Sequence, residues 1–131
     1  MQTDFDAIVV GAGPGGNAAA YRMAKAGLRV ALLEKMPLPR MKTCGGGLPP
    51  KALPLIPYDV SSVIHRSING AWLGYQDDGV FLRPMEGAGF TVERAEFDHF
   101  MTRAAKSAGV DVRDNCIVDG VEQLDGFVRV A

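Results

Sequence analysis

"VVGAGPGGNAAA", residues 9–20, sets Gly11, Gly13 and Gly16 in the spacing G-x-G-x-x-G. The short apolar run Phe5 to Val10 leads into it, and such a run suits a strand buried on both faces. Pro14 then stands where a first helical turn would begin, a position at which its missing N–H costs nothing. Strand, glycine turn and helix in that order make the seat a dinucleotide needs. Gly11 allows a tight turn, Gly13 lets a pyrophosphate approach bare main chain, and Gly16 lets the helix pack close on the strand. The helix N-terminus adds free N–H groups and a partial positive charge for the phosphates.

Working outward, the first helix is expected to run from Pro14 to about Lys25, with Gly27 as a left-handed cap. "RVALLE", residues 29–34, reads as the second buried strand. Glu34 lies at its end, 18 residues after Gly16, where an acid accepts hydrogen bonds from ribose hydroxyls. A 2′-phosphate would be repelled there, which argues against NADP in this slot. Two bland readings compete: glycines serving packing alone, and Glu34 as a solvated strand-end charge. The fingerprint itself serves NAD and FAD alike.

Further along, residues 35–62 hold six of the eight prolines and are expected to be mostly irregular, with one helical turn near Lys51 to Leu53. Residues 63–91 read as short extended pieces punctuated by turns at "QDDG" and "EGAG". From Ala95, a helical stripe of Phe97, Phe100, Met101, Ala104, Ala105 and Ala108 is closed by Gly109. Val110 to Arg113 is expected as a third parallel strand, and the remainder as an antiparallel meander with "VDG" and "LDG" turns. His99 is expected on the polar side of its helix.

Composition bounds the function. At 131 residues, with 47% hydrophobic and 22% charged content, the chain carries apolar material for one core. A net charge of -1 gives no footprint for nucleic acid or an anionic membrane. Residues 1–50 hold six basic and three acidic side chains, against eight and twelve in residues 51–131. The basic excess thus accompanies the glycines. Cys44 and Cys116 form no disulfide framework and no C-x-x-C pair, so a reducing cytoplasm is the default location. "MQTDFDAIVV" lacks the basic start and long apolar core of an export signal. No apolar run approaches the ~20 residues that span a bilayer. His65 and His99 have no partner at metal spacing, so no metal site is expected.

A second glycine cluster narrows the reading. "RMKTCGGGLPP", residues 40–50, sets three consecutive glycines behind Cys44, a costly run unless something must approach the backbone. It lies in an insert of roughly sixty residues between the second strand and the next helix. A simple NAD dehydrogenase usually has only a short loop there.

With "DAIVVGAGPGGNAAAYRMAKAGLRVALLEK" before it and "VERAEFDHFMTRAAKSAGVDVRDN" after it, this segment resembles the geranylgeranyl reductase family. That family is a branch of the p-hydroxybenzoate-hydroxylase-like flavoproteins. The resemblance implies an α/β fold: a Rossmann-like FAD-binding βαβ unit with a parallel sheet, an antiparallel insert and a C-terminal β-meander. Residues 1–34 would be the βαβ unit, 35–93 the loop and insert, and 94–131 the helix, third strand and meander. Gly11, Gly13, Pro14, Gly15 and Gly16 would hold the FAD pyrophosphate, with Glu34 and Lys35 at the adenosine ribose. Arg40 and the Cys44, Gly45, Gly46, Gly47 loop would lie near the flavin end, and Arg94 would contact the FAD.

The implied chemistry is reduction of an isolated prenyl double bond, with hydride from the reduced flavin going to one carbon and a proton to the other. The substrate would be a geranylgeranyl-type lipid, a quinone or a chlorophyll precursor. The chain departs from its family in having no Gly-Asp dipeptide; in the family, a later Gly-Asp segment completes the site. It reads as an N-terminal piece without the substrate domain, not expected to catalyse alone and able at most to hold the ADP half of FAD. The first of three parallel strands would keep an unpaired edge, for a second copy or another chain to cover. The partners implied are a prenylated substrate and no nucleic acid, with peripheral membrane contact left open. The alternatives are a flavin monooxygenase of the same fold and a non-catalytic nucleotide-binding module.

Overall fold

The computed structural model describes residues 3–74 and 80–131. In chain order it contains β1 (Ala7–Val10), α1 (Pro14–Lys25), β2 (Val30–Leu33) and β3 (Gly47–Leu48). Two 3₁₀ segments, Pro50–Leu55 and Ser61–Val63, lead to β4 (Arg66–Gly74) and β5 (Val80–Thr91). α2 (Arg94–Ser107), β6 (Asp111–Arg113), β7 (Val121–Leu124) and β8 (Phe127–Val130) follow. The chain gathers into two compact units, Met1–Met41 with Asp98–Ala131, and Lys42–Phe97.

The first unit is built on a parallel sheet of order β1-β2-β6. Its register sets Ala7 beside Val30 and Val9 beside Leu32, and Leu32 beside Val112. All four residues of the central strand β2 are buried, as the unbroken apolar run requires. Val30 and Leu32 form one core with Ala12, Ala20, Ala105 and Val110. Burying a side chain the size of Leu32 contributes about 1.5–3 kcal/mol, and the alanines let helix and sheet approach closely. α1 ends as the sequence requires: the Leu28 N–H bonds the Met23 carbonyl, and Gly27 takes φ +89°. Among the described residues β1 pairs with β2 alone, and Ile8 and Val10 on it are exposed. The sequence reading of a first strand buried on both faces is thus corrected: alternate residues of β1 are exposed.

The second unit is an antiparallel sheet of order β3-β5-β4. Here the sequence reading needs correction. β4 and β5 form one long pair, not several short pieces, and "EGAG" (residues 86–89) lies inside β5. The register jumps there: Ile68 pairs with Gly89, but Gly70 pairs with Pro84. The glycines therefore serve a strand irregularity in place of a turn. "QDDG" (residues 76–79) lies outside the described residues. The helical turn expected at Lys51 to Leu53 is a longer 3₁₀ segment. The meander is a two-stranded hairpin, β7 with β8, turned at Asp125–Gly126.

Candidate functional site

The geometry starts at the glycine turn of the first unit. A Cβ on Gly16 would stand 2.0 Å from the Gly11 carbonyl oxygen and 3.3 Å from Val9 Cγ1. Only a residue without a side chain lets α1 begin this close to β1. Gly13 and Gly15 differ. A Cβ on Gly15 would meet nothing within 4 Å, and one on Gly13 only Arg40 Nη2 at 3.9 Å. The Gly13 carbonyl accepts the first helical bond, from Asn17 N–H, while the N–H groups of Gly15 and Gly16 have no intrahelical acceptor. Packing requires glycine at Gly16, whereas it does not require glycine at Gly13 or Gly15.

Glu34 stands just beyond β2 and is buried. Its Oε2 accepts the Ala12 N–H at 2.9 Å and pairs with Arg40 Nε at 3.0 Å. Its Oε1 accepts the Met36 N–H at 3.2 Å. Burial is the largest influence on this carboxyl and acts to raise its pKa. The hydrogen bonds from Ala12, Arg40 and Met36, together with the Arg40 charge, outweigh it and hold the pKa below the usual value. The solvated strand-end reading is therefore excluded: Glu34 is ionised, buried and fixed against the glycine turn.

Arg40 is buried as well, and its Nη1 donates to Asp98 Oδ2 at 2.9 Å. Asp98 is buried on α2, one position beyond the Phe97 of the expected stripe. The Asn17 side chain, fully buried, donates from Nδ2 to the Ala12 carbonyl at 2.9 Å and to the Asp98 carbonyl at 3.4 Å. Asn17 and Asp98 escaped the sequence reading because isolated polar residues within helices look like solvent-facing ones. The signal that could have found them is position: Asn17 follows the third fingerprint glycine directly. His99, expected on the polar side, is half-buried, and its buried Nδ1 has no hydrogen-bond partner among the described residues.

The second glycine cluster lies in the other unit and is described by itself. A Cβ on Gly46 would stand 2.1 Å from the Val92 carbonyl oxygen, and the residue takes φ +69°. Its carbonyl accepts the Val92 N–H at 2.9 Å. The middle glycine thus serves the sheet. A Cβ on Gly45 or on Gly47 would meet nothing within 4 Å, so packing does not require glycine there. The Cys44 thiol is exposed, where a packing role would bury it, and its sulfur accepts the Gly46 N–H at 3.4 Å. Arg94 begins α2, Pro14 begins α1 and Lys35 is exposed beside Glu34. His65 pairs with Glu96 at 2.7 Å. Among the described residues no group of three or more His, Cys, Asp or Glu could hold a metal. No helix there is long and apolar enough to cross a membrane.

These features fit the ADP portion of a dinucleotide: bare main chain at Gly13 and Gly15, open N–H groups, and a fixed carboxylate at the strand end. Comparison with known proteins agrees. Residues 6–49 match the FAD binding domain family. The digeranylgeranylglycerophospholipid reductase of Thermoplasma volcanium is 36% identical, over 100% of this chain and 35% of its own. The crystal structure of a geranylgeranyl bacteriochlorophyll reductase-like protein from Thermoplasma acidophilum superposes with a TM-score of 0.79 at 30% identity. That match covers 95% of this chain and 33% of the other. The myxobacterial chondrochloren halogenase, an FAD-dependent enzyme, superposes with a TM-score of 0.75 at 30% identity, covering 92% of this chain and 30% of its own. The chain thus spans about a third of the length of the relatives it matches. The chain is an FAD-binding flavoprotein segment similar to geranylgeranyl reductases, and FAD is its cofactor.

Proposed function

We propose that this chain carries the ADP-binding half of an FAD-dependent oxidoreductase whose whole form reduces isolated double bonds in a prenyl lipid. The observation that carries the reading is the contrast at the glycine turn. Gly16 is closed off by the chain's own carbonyl, while Gly13 and Gly15 are open beside a fixed Glu34. In this reading Gly11, Gly13, Pro14, Gly15 and Gly16 seat the diphosphate. The helix N-terminus meets its charge, and Glu34, with Lys35 beside it, takes the ribose. Arg40, expected near the flavin end, is assigned instead to the same seat, because it pairs with Glu34 and its Nη2 lies beside Gly13. Cys44, Gly45, Gly46 and Arg94 are assigned to the flavin side on the family resemblance.

Bound and reduced, FAD supplies a hydride. An isolated alkene offers little charge to stabilise, so the protein's contribution is to hold the substrate chain in place and exclude water. The prenyl substrate is supported by a relative that is a digeranylgeranylglycerophospholipid reductase. Such a substrate would bring the whole protein to a membrane surface.

Calorimetric titration of the purified chain with FAD and with ADP tests the first part. Comparable binding of both is expected, because the ADP half supplies the contacts; binding of neither would refute it. For the reaction, a form carrying the remaining two thirds is given a geranylgeranyl lipid and reductant. A saturated product is expected. NADPH oxidation with oxygen uptake and a hydroxylated product would assign a monooxygenase instead.

A further inference from the structure

We infer that Asp98 is a positioning residue of the nucleotide seat, acting through Arg40 to hold the guanidinium beneath the Gly13 turn. The inference rests on the reading of that turn as a diphosphate site. A guanidinium has five N–H donors in a rigid fork. Glu34 takes Nε and Asp98 takes Nη1. With both arms fixed, Nη2 is left near Gly13, 3.9 Å from where a Cβ would stand. Asp98 is itself held: its backbone carbonyl accepts the Thr102 hydroxyl at 2.9 Å and the Asn17 amide at 3.4 Å. Asn17 also bonds the Ala12 carbonyl. α2 is thereby tied to the glycine turn through two side chains that the dinucleotide fingerprint does not contain.

Charge gives the inference a sign. Asp98 and Glu34 both carry carboxyl groups against the one guanidinium, so Asp98 is not placed to attract a diphosphate from a distance. What Asp98 adds is aim, which fixes the direction of the remaining donors at short range. Asp98→Asn keeps the shape and removes a negative charge. Bulk electrostatics alone would then tighten ADP binding, whereas loss of aim weakens it.

The experiment is a titration of the wild-type chain, Asp98→Asn and Arg40→Lys with ADP and with adenosine, followed by amide NMR, which also reports folding. Both variants are expected to bind ADP at least ~10-fold more weakly, equivalent to about 1.4 kcal/mol, with adenosine affinity within about twofold of wild type. Arg40→Lys retains the charge without the fork, so it decides the matter should Asp98→Asn not fold. Tighter or unchanged ADP binding, or equal losses for ADP and adenosine, would overturn the inference alone. Wild type that binds no ADP would overturn the nucleotide reading and this inference with it.

Discussion

Replacing Gly16 with alanine, and separately Gly15, distinguishes glycine kept for the fold from glycine kept for a ligand. At Gly16 the new methyl would stand 2.0 Å from the Gly11 carbonyl oxygen. Ordinary C···O contacts are no shorter than about 3.3 Å. α1 would therefore have to withdraw by roughly 1.3 Å, and the obstructing atom is main chain, which cannot rotate aside. Overpacking of this kind costs typically about 1–3 kcal/mol, and the upper end applies where backbone must yield. For a chain of this size that lowers Tm by about 10 °C. At Gly15 the methyl meets nothing within 4 Å, and alanine within a helix gains about 0.5–1 kcal/mol over glycine. Gly15→Ala should melt at or slightly above the wild-type temperature, yet lose ADP affinity because its methyl enters the ligand's space. Thermal unfolding by circular dichroism with and without ADP reads both effects. Unchanged melting for Gly16→Ala, or full ADP affinity in Gly15→Ala, would refute the reasoning.

The same contrast applies in the second unit. Gly46→Ala should destabilise by about 3 kcal/mol in urea, from its collision with Val92 and its φ of +69°, while Gly47→Ala stays within about 0.5 kcal/mol. Equal effects would mean the Val92 contact is not formed. Glu34→Gln keeps an oxygen for the Ala12 N–H but loses the ionic partner of Arg40. A loss of about 1–3 kcal/mol is expected in the same assay, and no loss would contradict the buried pairing. The pH dependence follows from the lowered Glu34 pKa. A carboxyl more acidic when folded stabilises fully above its ordinary value of 4.5, and that stability disappears as pH falls through the folded value. Wild type should lose stability on acidification below that point more steeply than Glu34→Gln does. Identical acid profiles would show that Glu34 is not the group responsible.

The first βαβ unit was legible because its evidence is local. Proline at a helix start, glycine at a helix end and an unbroken apolar strand each have one physical meaning. Glu34 was found by its spacing, but its surroundings were not, because Arg40 and Asp98 approach from six and sixty-four positions away along the chain. The "EGAG" stretch misled for a related reason. Glycine marks both turns and strand irregularities, and only the partner strand decides between them. The triple glycine reads in the sequence as one device, yet Gly46 answers to Val92 while Gly45 and Gly47 do not.

The central claim is that bare main chain after the first strand receives a dinucleotide's diphosphate. Amide NMR of the labelled wild-type chain titrated with FAD tests it most directly. The account predicts that the largest shifts fall on Ala12, Gly13, Gly15 and Gly16, and that ADP alone reproduces them. FAD binding that leaves those four amides unmoved would contradict it.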